Sequence, residues 1–147
     1  MTAEDVQNLR AETGAGIMDC KRALTEAAGD FTVAKDYLMT QGLVKAEKKG
    51  ERATGAGYLE SYIHGGRIGV LLELRCETDF VARGDLFRDL ARGIAMHISA
   101  TDPASPEALL AEPYIRDESM TVENLIKGVI AKTGENIRIA RFARFAL

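Results

Sequence analysis

Two cysteines, two histidines and three prolines are all that 147 residues provide, and each shortage narrows what the chain can do. Cys20 and Cys76 have no partner at metal-site spacing, so two reduced, half-buried thiols are expected, as in a cytoplasmic protein. His64 falls in a turn and His97 beside a helical stripe, and neither has a second histidine or an acidic cluster nearby to hold a metal. Positive charge is also short: net charge is -3 with a pI near 5.5, which argues against a general nucleic-acid binder. No apolar run approaches membrane-spanning length, so no membrane association is expected. The start, Met1-Thr2-Ala3-Glu4-Asp5, is acidic and lacks the apolar stretch of a signal peptide.

Catalytic constellations are missing as well. No Ser/His/Asp or Cys/His set falls on plausible elements, and no carboxylate pair stands out as an acid/base couple. Gly14-Ala15-Gly16 invites a phosphate-loop reading, but it follows a helix, Asp19 stands where a third glycine belongs, and no Walker lysine is present. A binding or regulatory protein without cofactor and without direct nucleotide binding is therefore expected, not an enzyme.

What is present is pattern. Residues 1–42 read as three short helices. Val6 and Leu9 mark the first, which stops at Thr13–Gly16; Ile17, Cys20, Ala23, Leu24 and Ala27 stripe the second. Asp30 is placed to cap a third, carrying Val33, Ala34, Tyr37 and Leu38, with Gly42 as its stop. Met18 stands beside the exposed turn, either topping the core or offering an adaptable apolar contact to a partner. Residues 43–53 mix charges and read as a solvated helical connector.

Residues 54–147 read as one α+β domain. Gly65-Gly66 between two β-rich runs signals a hairpin, with Val70, Leu72 and Leu74 on one face and Leu71 and Glu73 on the other. A long helix follows from Asp85, its stripe running Leu86, Phe87, Leu90, Ala91, Ile94, Ala95 and Ile98. Residues 99–120 form an acidic, proline-bearing crossover with one short helix at 107–111. Thr121 caps a last helix ended by Gly134. In the final strand apolar residues fall on both parities, so it is either covered on both faces or bulged. Three antiparallel strands with helices on one face is the economical assembly, and its open second face predicts a homodimer through the sheet.

Between hairpin and long helix lies Cys76-Glu77-Thr78-Asp79-Phe80-Val81-Ala82-Arg83. Thr78 or Asp79 can cap a helical turn there. In isolation the string reads most simply as a capped turn with Phe80 buried as an anchor.

Five stretches, in order, change that reading. They are Leu9-Arg10 with Thr13 to Leu24, Tyr62 to Val70, Glu77 to Arg83, Ala95-Met96-His97-Ile98, and Gly134-Glu135-Asn136-Ile137 with the arginine-phenylalanine tail. Through them the chain resembles the translation elongation factor Ts family, the guanine-nucleotide exchange factors for elongation factor Tu. The resemblance implies that the first unit is a ubiquitin-associated-like (UBA-like) three-helix domain docking on the partner's GTPase domain. Arg10, Ile17, Met18 and Lys21 match contact positions there. It implies further that Thr78, Asp79, Phe80 and Val81 form the segment that dislodges Mg²⁺ from the partner's nucleotide site, with Asp79 and Phe80 intruding. The partner would be met both GDP-bound and nucleotide-free. The chain departs from the common pattern at residues 99–120, which replace a long helical insertion, and its core appears once, as in the short members that work as homodimers. Two other readings remain at this stage: a non-exchange adaptor using the three-helix unit, and a ribosome- or RNA-associated protein using Arg138, Arg141 and Arg144.

Overall fold

The computed structural model describes residues 1–147 and has the expected mixture of helices and antiparallel sheet. Helix α1 (Ala3–Thr13) opens on a reciprocal cap, in which the Asp5 amide donates to Thr2 Oγ1 and the Thr2 amide donates to Asp5 Oδ2. Gly14 closes it at φ 73°, a left-handed conformation that glycine adopts without steric cost. Helix α2 (Ile17–Glu26) and α3 (Phe31–Glu47) follow, the latter capped by Asp30 on the Val33 amide. Val6, Leu9, Cys20, Ala23, Leu24, Ala34 and Leu38 make a small core of their own.

Gly42 does not stop α3, which runs five residues further, to Glu47. The glycine serves a close approach instead: a Cβ there would stand 3.1 Å from the Ala131 methyl of a later helix. Beyond it, Ala46 joins the main core, so one helix carries side chains into both apolar clusters.

Strands β1 (Ala56–His64) and β2 (Ile68–Cys76) form the hairpin, and both turn glycines take positive φ. A single helical turn, α4 (Asp79–Ala82), leads into α5 (Asp85–Thr101). Phe87, Leu90, Ala91, Ile94, Ala95 and Ile98 of α5 bury against Val70, Leu72, Leu74 and Cys76 of the sheet. Leu86, expected in that stripe, lies on its solvent side and is exposed.

The crossover is shorter and more ordered than its composition predicts. Residues 99–101 still belong to α5. After them come α6 (Pro106–Ala111) and a two-stranded ribbon, β3 (Pro113–Tyr114) with β4 (Asp117–Thr121), which the polar sequence did not disclose. The ribbon is held at His97, which is fully buried. Its Nδ1 accepts from the Ile115 amide, so Nε2 carries the proton and donates to Glu112 at 2.9 Å. Tyr114 stacks on the ring and Thr101 donates to the same Glu112 carboxylate.

Helix α7 (Val122–Thr133) starts at the Thr121 cap and ends at Gly134, φ 75°. Strand β5 (Arg138–Ala146) then pairs with β2, giving the order β1-β2-β5. Leu74 faces Ile139 while Glu73 faces Arg141, so Ala140 is one residue too many. This bulge settles the double parity: Ile139 points to the core before it, Phe142 after it. It also splits the arginines. Arg141 reaches Glu73 on the outer face, while Arg144 turns inward and donates to the Ser99 carbonyl, so no continuous basic strip forms.

Candidate functional site

Thr78 is the residue on which the turn is built. Its hydroxyl accepts from the Val81 amide at 3.3 Å, the helix cap, and donates to Glu135 Oε2 at 2.7 Å. Its amide donates to Glu135 Oε1 at 3.0 Å, alongside the Glu77 amide at 3.1 Å. Its carbonyl accepts from the Ala82 amide and from the Cys76 thiol. Every polar atom of Thr78 is engaged. A capping hydroxyl of this kind contributes about 1 kcal/mol.

The base extends beyond one residue. The Glu77 carboxylate accepts from the Asn136 amide at 2.9 Å and lies 3.7 Å from Arg52. Asn136, buried, donates through Nδ2 to the Gly50 and Arg52 carbonyls. The Gly134-Glu135-Asn136 corner therefore ties together the turn, the end of α7 and the segment leaving α3. Burial pushes the Cys76 thiol up, and the Glu135 negative charge adds to that.

On this base the chain divides its side chains. Ala82 is buried and Val81 packs on the main core. Phe80 points the other way and is 88% exposed. The isolated string's reading as a buried anchor does not hold, and Phe80 projects: the turn is held by Thr78, Val81 and Ala82, and the ring is left in water. Asp79 is exposed beside it.

Arg10, Ile17, Met18 and Lys21 are all exposed on the three-helix unit, Met18 by 67%. Met18 therefore does not top the core; its side chain is open to solvent. The two groups of residues are not in contact, yet Lys132 stands between them. It lines a groove with Phe80 and Val81, and its side chain abuts the turn after α1, where a Cβ on Gly14 would lie 2.8 Å from Lys132 Cγ. Glu77, Lys132, Glu135 and Asn136 had no assigned part in the sequence reading. Apart from Arg52 beside Glu77, their partners lie more than fifty residues away, and no local spacing signals such a bond.

Comparison with known proteins bears on this geometry. A family profile described as Elongation factor TS matches residues 77–147, from the base of the turn to the end of β5. The elongation factor Ts of Picosynechococcus sp. is 44% identical over 194 aligned positions, covering 100% of this chain and 89% of that protein. The chain belongs to the elongation factor Ts family. Nitratidesulfovibrio vulgaris elongation factor Ts is 39% identical, with 96% of that protein covered. The elongation factor Ts of Nostoc sp. is 48% identical over 148 positions, but only 47% of that longer protein is covered. The 194 positions of the first alignment exceed the 147 residues here, so that relative carries additional residues within the aligned span. Membership of the elongation factor Ts family makes this a translation elongation factor. No helix is long and apolar enough to cross a membrane.

Proposed function

We propose that the chain is a guanine-nucleotide exchange factor for elongation factor Tu, catalysing no chemical reaction and working in the cytoplasm during translation. In this reading the UBA-like unit docks on the partner through Arg10, Ile17, Met18 and Lys21. Asp79 and Phe80 then enter beside the nucleotide and disturb the Mg²⁺ site. One observation carries the reading: in a member of this family, Phe80 stands almost fully exposed on a turn held by the bonds of Thr78 and the inward packing of Val81 and Ala82.

The energetics support it. Burying a phenylalanine ring contributes about 1.5–3 kcal/mol, which Phe80 forgoes in the free protein and recovers only inside a partner. Mg²⁺ demands near-ideal octahedral geometry, so a small displacement of its protein ligands weakens it and then GDP. Each 1.4 kcal/mol of coupling is worth about tenfold in nucleotide affinity, and the coupling is reciprocal: GDP with Mg²⁺ weakens the factor's binding equally. An adaptor would need only the three-helix unit and has no use for the rigid turn. Release of labelled GDP from elongation factor Tu, with the chain in catalytic amounts, tests the proposal. Acceleration is expected; an unchanged rate overturns it.

The partner set includes a second copy of the chain. Leu59, Ile63, Leu71 and Phe145 share the outer face of the sheet and are exposed, Phe145 by 79%, with Glu73 and Arg141 beside them. A self-complementary patch of this composition suits a two-fold dimer.

A further inference from the structure

The Glu135 carboxylate is spent on the Phe80 turn alone. Both of its oxygens are occupied, and all three donors come from Glu77 and Thr78: two backbone amides at 3.1 and 3.0 Å and the Thr78 hydroxyl at 2.7 Å. Arg52, a cation at this corner, reaches toward the Glu77 carboxylate and the Gly134 carbonyl instead. The contact is also returned, since Glu77 accepts from the Asn136 amide. Two segments nearly sixty residues apart are thus bonded in both directions.

We propose that Glu135 is a positioning residue for exchange: it fixes the direction in which Phe80 leaves the molecule and so sets how far Phe80 displaces the partner. The proposal rests on the reading of Phe80 as the intruding side chain.

Helix α4 is one turn of four residues, too short to hold its own direction. A partner displaced by Phe80 pushes back, and that reaction passes through Asp79 into Thr78. A base free to rotate would let the ring swing aside and the partner keep its Mg²⁺. Bonds to an ionised acceptor are short and strong, and several converging on one carboxylate remove that freedom before the partner arrives. Glu135 touches neither nucleotide nor metal, so its effect appears in the rate of the bound complex and leaves docking alone.

The test measures GDP release from elongation factor Tu against concentration of the full chain. It compares wild type with Glu135→Ala, Glu135→Gln, Phe80→Ala and the Phe80→Ala/Glu135→Ala double variant. For Glu135→Ala the saturating rate falls roughly tenfold or more, as misplacement of a key group does, while the half-saturating concentration stays within about threefold. Glu135→Gln, which keeps its size and one carbonyl acceptor, falls between wild type and Glu135→Ala. The double variant is no slower than Phe80→Ala, because Glu135 acts only through the ring. Amide exchange rises at Glu77 and Thr78 in Glu135→Ala but not at Leu72 in the core strand.

A wild-type saturating rate in Glu135→Ala overturns the proposal, as does a double variant slowed by the product of the single effects. Uniformly faster amide exchange would mark a purely structural residue and overturn it too. Should Glu135→Ala fail to fold, Glu135→Gln decides alone, and a wild-type rate there overturns it. If Phe80→Ala itself releases GDP at the wild-type rate, the wedge reading fails first; if only the Glu135 variants do, this inference fails and the wedge stands.

Discussion

Thr78 and Phe80 sit two residues apart with opposite fates, one bonded at every polar atom and the other 88% exposed. The difference follows from their types, since a hydroxyl beside free amides is captured locally and a phenyl ring has nothing local to take it. The cysteines show the reverse case. Cys20 and Cys76 are both fully buried, and desolvation raises both thiols, with neighbouring carboxylates adding to the rise. Neither thiol should react with a thiol reagent in the native protein near pH 8, and both should react in denaturant; labelling followed by mass spectrometry checks this. Glu73 carries a pH signature. Arg141, at 2.9 Å, and then Arg75, at 2.8 Å, hold its carboxyl below the usual range. A lowered native value gives stability that is present above the unfolded value of about 4.3 and lost as pH falls through the folded one. In urea unfolding from pH 7 to 3, wild type should exceed Glu73→Gln at neutral pH, and the two should converge in acid.

At the scale of elements, capping and period made most helices legible. Thr2, Asp30, Thr78, Ser105 and Thr121 all cap where a short polar side chain precedes a patterned run. Three features were hidden for physical reasons. Gly42 looks like a stop because glycine ends helices, yet here it makes room for α7, and only the tertiary partner distinguishes the two uses. The β3–β4 ribbon has polar strands, so no alternation announces it; its order comes from His97, Glu112 and Tyr114. The Ala140 bulge was legible only as an ambiguity of parity. Glu112→Ala tests the clasp. It leaves the buried His97 Nε2–H unpaired, so a loss of about 1–3 kcal/mol is expected in urea unfolding, with faster amide exchange at Ile115. An unchanged stability would show that the ribbon is held elsewhere.

Across the whole molecule, two apolar cores are joined by one continuous helix, and three exposed surfaces are candidates for contact with other chains. The outer sheet face is the one proposed for a second copy: sedimentation should give a dimer for wild type, and Leu71→Lys or Phe145→Glu should shift it to monomer. Of the candidate site, the identity of its outward residues was legible through the family pattern. The corner of Glu135 and Asn136 that holds them was not, because chain folding alone brings it there. The remaining two surfaces, Arg10 to Lys21 and the Phe80 turn, flank Lys132 and serve one proposed partner. In the proposed function, Phe80 converts binding to that partner into nucleotide release. The direct measurement is the saturating rate of GDP release from elongation factor Tu by wild type and by Phe80→Ala. Folding should be unaffected, since the ring is in water, and the variant should lose roughly 2 kcal/mol of coupling, about thirtyfold in rate. Equal rates for the two proteins would show that Phe80 does not couple binding to nucleotide release.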